Sequence, residues 1–89
     1  MSEFEWDEAK RVANVVKHNF DFRDAERVFA GPHREFDTTR PGEERKLATA
    51  LLDGRWVTLV FTWRNTKRRI ISMRRAREDE RDVYRQLHR

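Results

Sequence analysis

Residues 46–64 read KLATALLDGRWVTLVFTWR. Two runs rich in alternating apolar and β-branched residues flank Asp53-Gly54, a pair suited to the two positive φ angles of a type I′ turn. The spacing predicts a β-hairpin that pairs Leu52 with Arg55, Leu51 with Trp56, Ala50 with Val57 and Thr49 with Thr58. Side chains alternate between faces, so one face carries Thr49, Leu51, Trp56, Thr58, Val60 and Thr62. The other carries Ala48, Ala50, Val57, Leu59, Phe61 and Trp63 and is the more apolar. Its two alanines leave room for a helix.

Upstream of the hairpin, Phe4-Glu5-Trp6 alternates like a short strand. Asp7 can cap a helix in which Ala9, Val12, Ala13 and Val16 repeat at helical spacing. Asn19 can take the left-handed conformation that ends it. Phe20-Asp21 then opens a short second helix with Phe22, Ala25, Val28 and Phe29 inward, stopped by Gly31-Pro32. A strand over Glu35 to Thr38 and a polar turn at Pro41-Gly42 lead into Lys46.

Downstream, the register of a strand over Arg68 to Arg74 decides where the arginines point. An odd-length loop after Arg64 sets Phe61 opposite Ile71 and Leu59 opposite Met73. Ile70, Ser72 and Arg74 then join Arg64, Thr58 and Thr62 on the less apolar face. An even loop would drive Ser72 and Arg74 into the core, where an unpaired charge is costly. The odd loop is therefore expected. A last helix from about Arg77 to Leu87 turns Ala76, Glu80, Val83, Tyr84 and Leu87 inward. The fold expected for residues 1–89 is one α+β domain: an antiparallel sheet of four to five strands, covered on one face by two N-terminal helices and a C-terminal helix.

Charge narrows the function. Residues 1–45 hold 8 Lys/Arg against 11 Asp/Glu, whereas residues 46–89 hold 12 against 5. A basic half of this kind suits a polyanion, though paired arginines also make solvated structural surfaces. The chain has no cysteine, which fits a reducing cytoplasm and leaves no disulfide or thiolate metal site. It has no signal-peptide pattern at its start and nothing near the ~18 apolar residues of a membrane span, so no membrane association is expected. His18, His33 and His88 are not at metal-ligand spacing, and there is no glycine-rich phosphate loop. No cofactor is expected.

Cleavage of RNA without a metal needs a base for the 2′-hydroxyl, cationic donors on the phosphorane and an acid for the leaving 5′-oxygen. Glu80 or a histidine can serve as base. Arg64 and Arg74 can stabilise the phosphorane, and His18, Lys17 or Tyr84 can donate the proton. Arg68, Arg69, Ser72 and Arg75 lie close in sequence, with Trp56 as a stacking surface. The structural counterpart is a set of arginines paired with Glu78, Asp79, Glu80 and Asp82.

These residues resemble a known family, the BrnT toxins, whose fold is related to RelE. The opening Phe4-Glu-Trp-Asp-Glu-Ala-Lys10, then Asn14, Lys17-His18, Phe22, Ala25 and Phe29, is similar to the family's start. Thr62 and Arg64, then Arg69-Ile-Ile-Ser72, Arg74, Ala76, Glu80 and Tyr84, are similar to its end. The resemblance implies a ribonuclease toxin that arrests translation. It also implies a BrnA-type antitoxin partner, through which alone operator DNA is reached. Arg64, Arg74, Glu80 and Tyr84 are its likeness-based functional set, with Lys17 and His18 behind them. Asn19 replaces the family's usual glycine, and within residues 31–45 only Asp37 and Glu44-Arg45 are family-like. The alternative is a basic nucleic-acid- or protein-binding module without catalysis. A regulatory DNA-binding protein is disfavoured by the lack of a helix-turn-helix pattern.

Overall fold

In a computed structural model that describes residues 3–38 and 44–88, the Asp53-Gly54 hairpin forms with the expected pairing. Asp53 and Gly54 both have positive φ, 52° and 78°, as the type I′ turn requires. Its strands are β3 (Lys46–Leu52) and β4 (Arg55–Arg64), the centre of a five-stranded sheet. The other strands are β1 (Phe4–Glu5), β2 (Arg34–Asp37) and β5 (Lys67–Arg75), and the order is β1-β5-β4-β3-β2. Four strands are antiparallel to their neighbours, while β1 joins β5 in parallel. The sheet is therefore mixed rather than wholly antiparallel. The expected turn at Pro41-Gly42 lies outside the described residues.

The apolar face of the hairpin makes the core. Ala48, Ala50, Val57, Leu59 and Phe61 are buried there, beneath Phe20, Phe22, Ala25 and Val28. Phe20 precedes, and the other three lie in, the segment ending in α2 (Ala25–Ala30), which begins with a 3₁₀ turn over Phe22–Asp24. Phe22, Ala25 and Val28 point inward as their spacing predicts, and Phe29 packs against the core.

The loop before β5 has two residues, Asn65 and Thr66, not an odd number. Arg64 pairs with Lys67, and Phe61 faces Ile70 rather than Ile71. Asn65, at φ 59°, takes the left-handed conformation the tight turn needs. Parity is recovered by a bulge between Val60 and Phe61: Ile71 is the extra residue, after which Val60 faces Ser72 and Leu59 faces Met73. Ile70 is consequently core, 2% exposed, and not on the arginine face. Ser72 and Arg74 stay off the α2 side.

Helix α1 (Glu8–His18) is capped by Asp7 and ended by Asn19 in the left-handed conformation, as expected. The repeat that marks it is not its buried stripe, for Val16 is 84% exposed and Ala9, Val12 and Ala13 also face outward. Its buried residue is Asn14, whose Nδ2 donates to the carbonyls of Phe20 and Met73, both at 2.9 Å, while its Oδ1 accepts from the Met73 N–H. Asn14 thus docks α1 to an edge of β5 beyond the reach of β1, closing main-chain groups that would otherwise be orphaned. Asn14→Leu keeps the size but leaves these groups unpaired. It is expected to lower stability by about 2–3 kcal/mol and to speed hydrogen exchange at the Met73 amide, which unchanged exchange would contradict.

Helix α3 (Glu78–Leu87) sits on the opposite face of the sheet from α2, against β3 and β2, so the helices do not share one side. The register explains this. Glu80 reaches Thr58 and Arg74, which point away from the main core. Ala76 and Glu80 are buried and Tyr84 half-buried, but Val83 and Leu87 of the expected stripe are exposed. No described helix is long and apolar enough to cross a membrane.

Candidate active site on the α3 face

Thr49 and Thr58 face each other across the hairpin beneath α3, their hydroxyls 2.7 Å apart and fully buried. The Thr58 hydroxyl donates to Glu80 Oε1 at 2.8 Å. Arg74 meets the same carboxylate end-on, Nη1 to Oε1 and Nη2 to Oε2, each at 2.9 Å. The Arg77 N–H, at the start of α3, adds a fourth donor at 2.7 Å. The pair therefore fixes the helix to the sheet and the guanidinium to one orientation.

Burial of Glu80, 5% exposed, would raise its pKa. The hydrogen bonds from Arg74, the Arg77 N–H and Thr58 outweigh that and hold it at about 2. Glu80 is an ionised anchor at neutral pH, with too little proton affinity for a general base. Arg74 is its counterpart at the rim of a groove of about 460 Å³, with Phe36, Leu47 and Val60 as apolar lining and Arg45 and Arg77 alongside. Asp37 and Asp79 supply carboxylates to the same groove. With Glu80, three carboxylates thus face three guanidinium groups over an apolar floor, so that a phosphate can meet the guanidinium groups and a base or sugar the floor.

The other sequence-derived candidates distribute around this centre. Ser72 is half-buried opposite Val60, next to the groove. Arg64 shares the face but lies six residues along β4 from Thr58, roughly 20 Å away. It is 62% exposed and 4.0 Å from Glu5, which also holds Arg69 at 2.8 Å. Arg64 and Arg74 are thus on one face, as the register reading expects, but at separate ends of it. Tyr84 lies one turn beyond Glu80, edge-on to Trp56 with centroids 5.1 Å apart and close to His88. Arg85 stands over Trp56 as well, and the ring is half-buried.

His18 lines a third region, a pocket of about 390 Å³ at the hairpin end, with Arg55, Trp56 and Arg75. Lys17 is exposed beside it in sequence at the end of α1. Arg68 lies on the core side, its guanidinium between Phe29 at 4.1 Å and Trp63 at 4.5 Å. Sequence reasoning missed Thr49, Arg45 and Arg77 as site-builders. The Thr49–Thr58 pairing was the available signal, since two threonines opposed on a face of mostly larger residues mark a place where a buried polar group can be met.

Among the described residues no group of three or more His, Asp or Glu is placed to hold a metal ion. Residues 6–80 match the model of a family described as the ribonuclease toxin, BrnT, of type II toxin-antitoxin systems. The 1.1 Å crystal structure of the Brucella abortus ribonuclease toxin, BrnT, is similar, with a TM-score of 0.73 at 28% identity, covering 88% of this chain and all of that one. No curated protein sequence matches.

Proposed function

The chain belongs to the BrnT ribonuclease toxins of type II toxin-antitoxin systems, and from that premise we propose that it cleaves RNA without a metal ion, through Arg74 at the groove beside α3. The observation that carries this reading is the bidentate Arg74–Glu80 pair, which holds a permanently charged guanidinium in one orientation at the rim of a groove. In the reaction the 2′-oxygen attacks the adjacent phosphorus as its proton leaves, the bond to the 5′-oxygen breaks, and that oxygen takes a proton. Negative charge builds on the phosphorane oxygens, and a preorganised guanidinium stabilises it there more than in the ground state. Glu80 is the positioning residue for Arg74.

Asp37 and Asp79 are the carboxylates beside the groove for the first proton transfer. Tyr84, one turn beyond Glu80 on the same helix, is the candidate proton donor, since His18 lies in a separate pocket at the hairpin end. Arg64 and Arg69 at one end of the face, with Arg75 and Lys17 at the other, are spread to meet phosphates of a strand crossing it. Such cleavage would arrest translation, and a BrnA-type antitoxin would neutralise the chain by covering this face.

The test is incubation of the purified chain with end-labelled single-stranded RNA, with and without EDTA. Fragments ending in 2′,3′-cyclic phosphate are expected at the same rate in both. Salt-sensitive retention of intact RNA, with no fragments, would show a binding module instead.

A further inference from the structure

A second pocket, of about 390 Å³, adjoins the Arg74 groove, and Asp37 and Arg45 line both. Its aromatic wall is Trp63, and Lys46 and Thr62 stand beside it. Of the three tryptophans this is the open one. Trp6 and Trp56 are both half-buried, the first donating to Glu8 and packed on Phe22, the second beside Tyr84 and Arg85. Trp63 is 45% exposed although it is large and apolar.

The indole is also fixed. Arg68 lies over it at 4.5 Å with its other side on Phe29, and Phe61 meets it edge-on at 6.3 Å. A ring braced in this way gives up little freedom when a flat partner stacks on its exposed part. Every nucleobase offers such a surface, and only an unpaired one can be splayed onto it.

We propose that Trp63 is a stacking platform for an unpaired base of the RNA where the strand leaves the Arg74 groove past Asp37 and Arg45, several nucleotides from the phosphate that meets Arg74, because Trp63 lies on the other face of β4 and roughly 17 Å along it from Thr58. The proposal rests on the ribonuclease reading and adds to it a second subsite, and with it a requirement for single-stranded substrate. Lys46, ion-paired to Asp37 at the pocket wall, lies where it can meet the phosphate of the stacked nucleotide.

The experiment measures binding of a 2′-O-methyl RNA oligonucleotide, which lacks the attacking hydroxyl and stays intact, and of an abasic strand of equal length. Trp63→Ala is expected to weaken binding of the base-bearing strand about 10-fold and to leave the abasic strand unaffected. Trp63→Phe is expected to restore most of the loss, which a merely structural role would not explain for one probe and not the other. Thermal melts of both variants verify the fold, and Trp63→Phe keeps the aromatic brace if alanine loosens it.

Equal binding of both probes by Trp63→Ala and wild type, with RNA cleavage intact, overturns the platform and spares the ribonuclease reading. So does an equal loss on both probes, or a loss of affinity only for the antitoxin. A wild-type chain that neither binds nor cuts RNA overturns both.

Discussion

Arg74→Ala is expected to slow RNA cleavage by about 10²–10³-fold, the usual effect of removing one preorganised donor from a developing oxyanion. The size follows from how the guanidinium is held. Glu80 engages both Nη atoms, so the charge needs no reorganisation as the phosphorane forms. Arg74→Lys is the sharper variant, since it keeps the positive charge near Glu80 but cannot reproduce the planar fork. It is expected to fold while losing much of the rate, with the deficit in single-turnover cleavage rather than in RNA binding. Arg64→Ala provides the contrast: exposed and roughly 20 Å along the strand, it should weaken binding and flatten the salt dependence with little change in the bound-state rate. Folded Arg74→Lys and Arg74→Ala proteins that both cut at the wild-type rate would remove Arg74 from the chemistry.

Legibility in the sequence tracked how local each determinant is. The β3–β4 hairpin was readable because Asp53-Gly54 sets turn type and register together, and the burial of Ala48, Ala50, Val57, Leu59 and Phe61 followed from it. The β5 register was half readable. Keeping Ser72 and Arg74 out of the main core was a sound energetic constraint, but two devices satisfy it, an odd loop or a bulge, and the chain uses the bulge at Ile71. The face chosen by α3 depends on Glu80 meeting Thr58 and Arg74, a tertiary contact that helical periodicity does not encode. Asn14 is the converse case: a polar residue outside the apolar repeat of α1, buried because its amide closes an edge of β5. As for the site, the sequence offers Arg74 and Glu80 both as a cation and a base and as members of an arginine–carboxylate pairing, and only the tertiary contact picks out this one pair.

Glu80→Gln is expected to cost about 3 kcal/mol of stability at neutral pH, lowering the melting temperature by roughly 15 °C for a chain of this size. Glutamine keeps one carbonyl oxygen for Thr58 and the Arg77 N–H. Its amide, however, turns a donor toward Arg74 and leaves that half-buried guanidinium without a counterion. The pH dependence separates charge from packing. The folded-state pKa of about 2 lies below the ordinary 4.5. The carboxylate's contribution is therefore fully present above about pH 4.5 and disappears as the pH falls from there toward 2. The variant has no such proton to bind. Urea melts of both proteins between pH 7 and pH 2.5 should show a wild-type advantage that is constant from pH 7 to about 5 and then shrinks steadily, because the other carboxylates titrate alike in both and cancel in the difference. A gap that persists unchanged to pH 2.5 would mean that shape, not the Arg74 ion pair, is what Glu80 contributes.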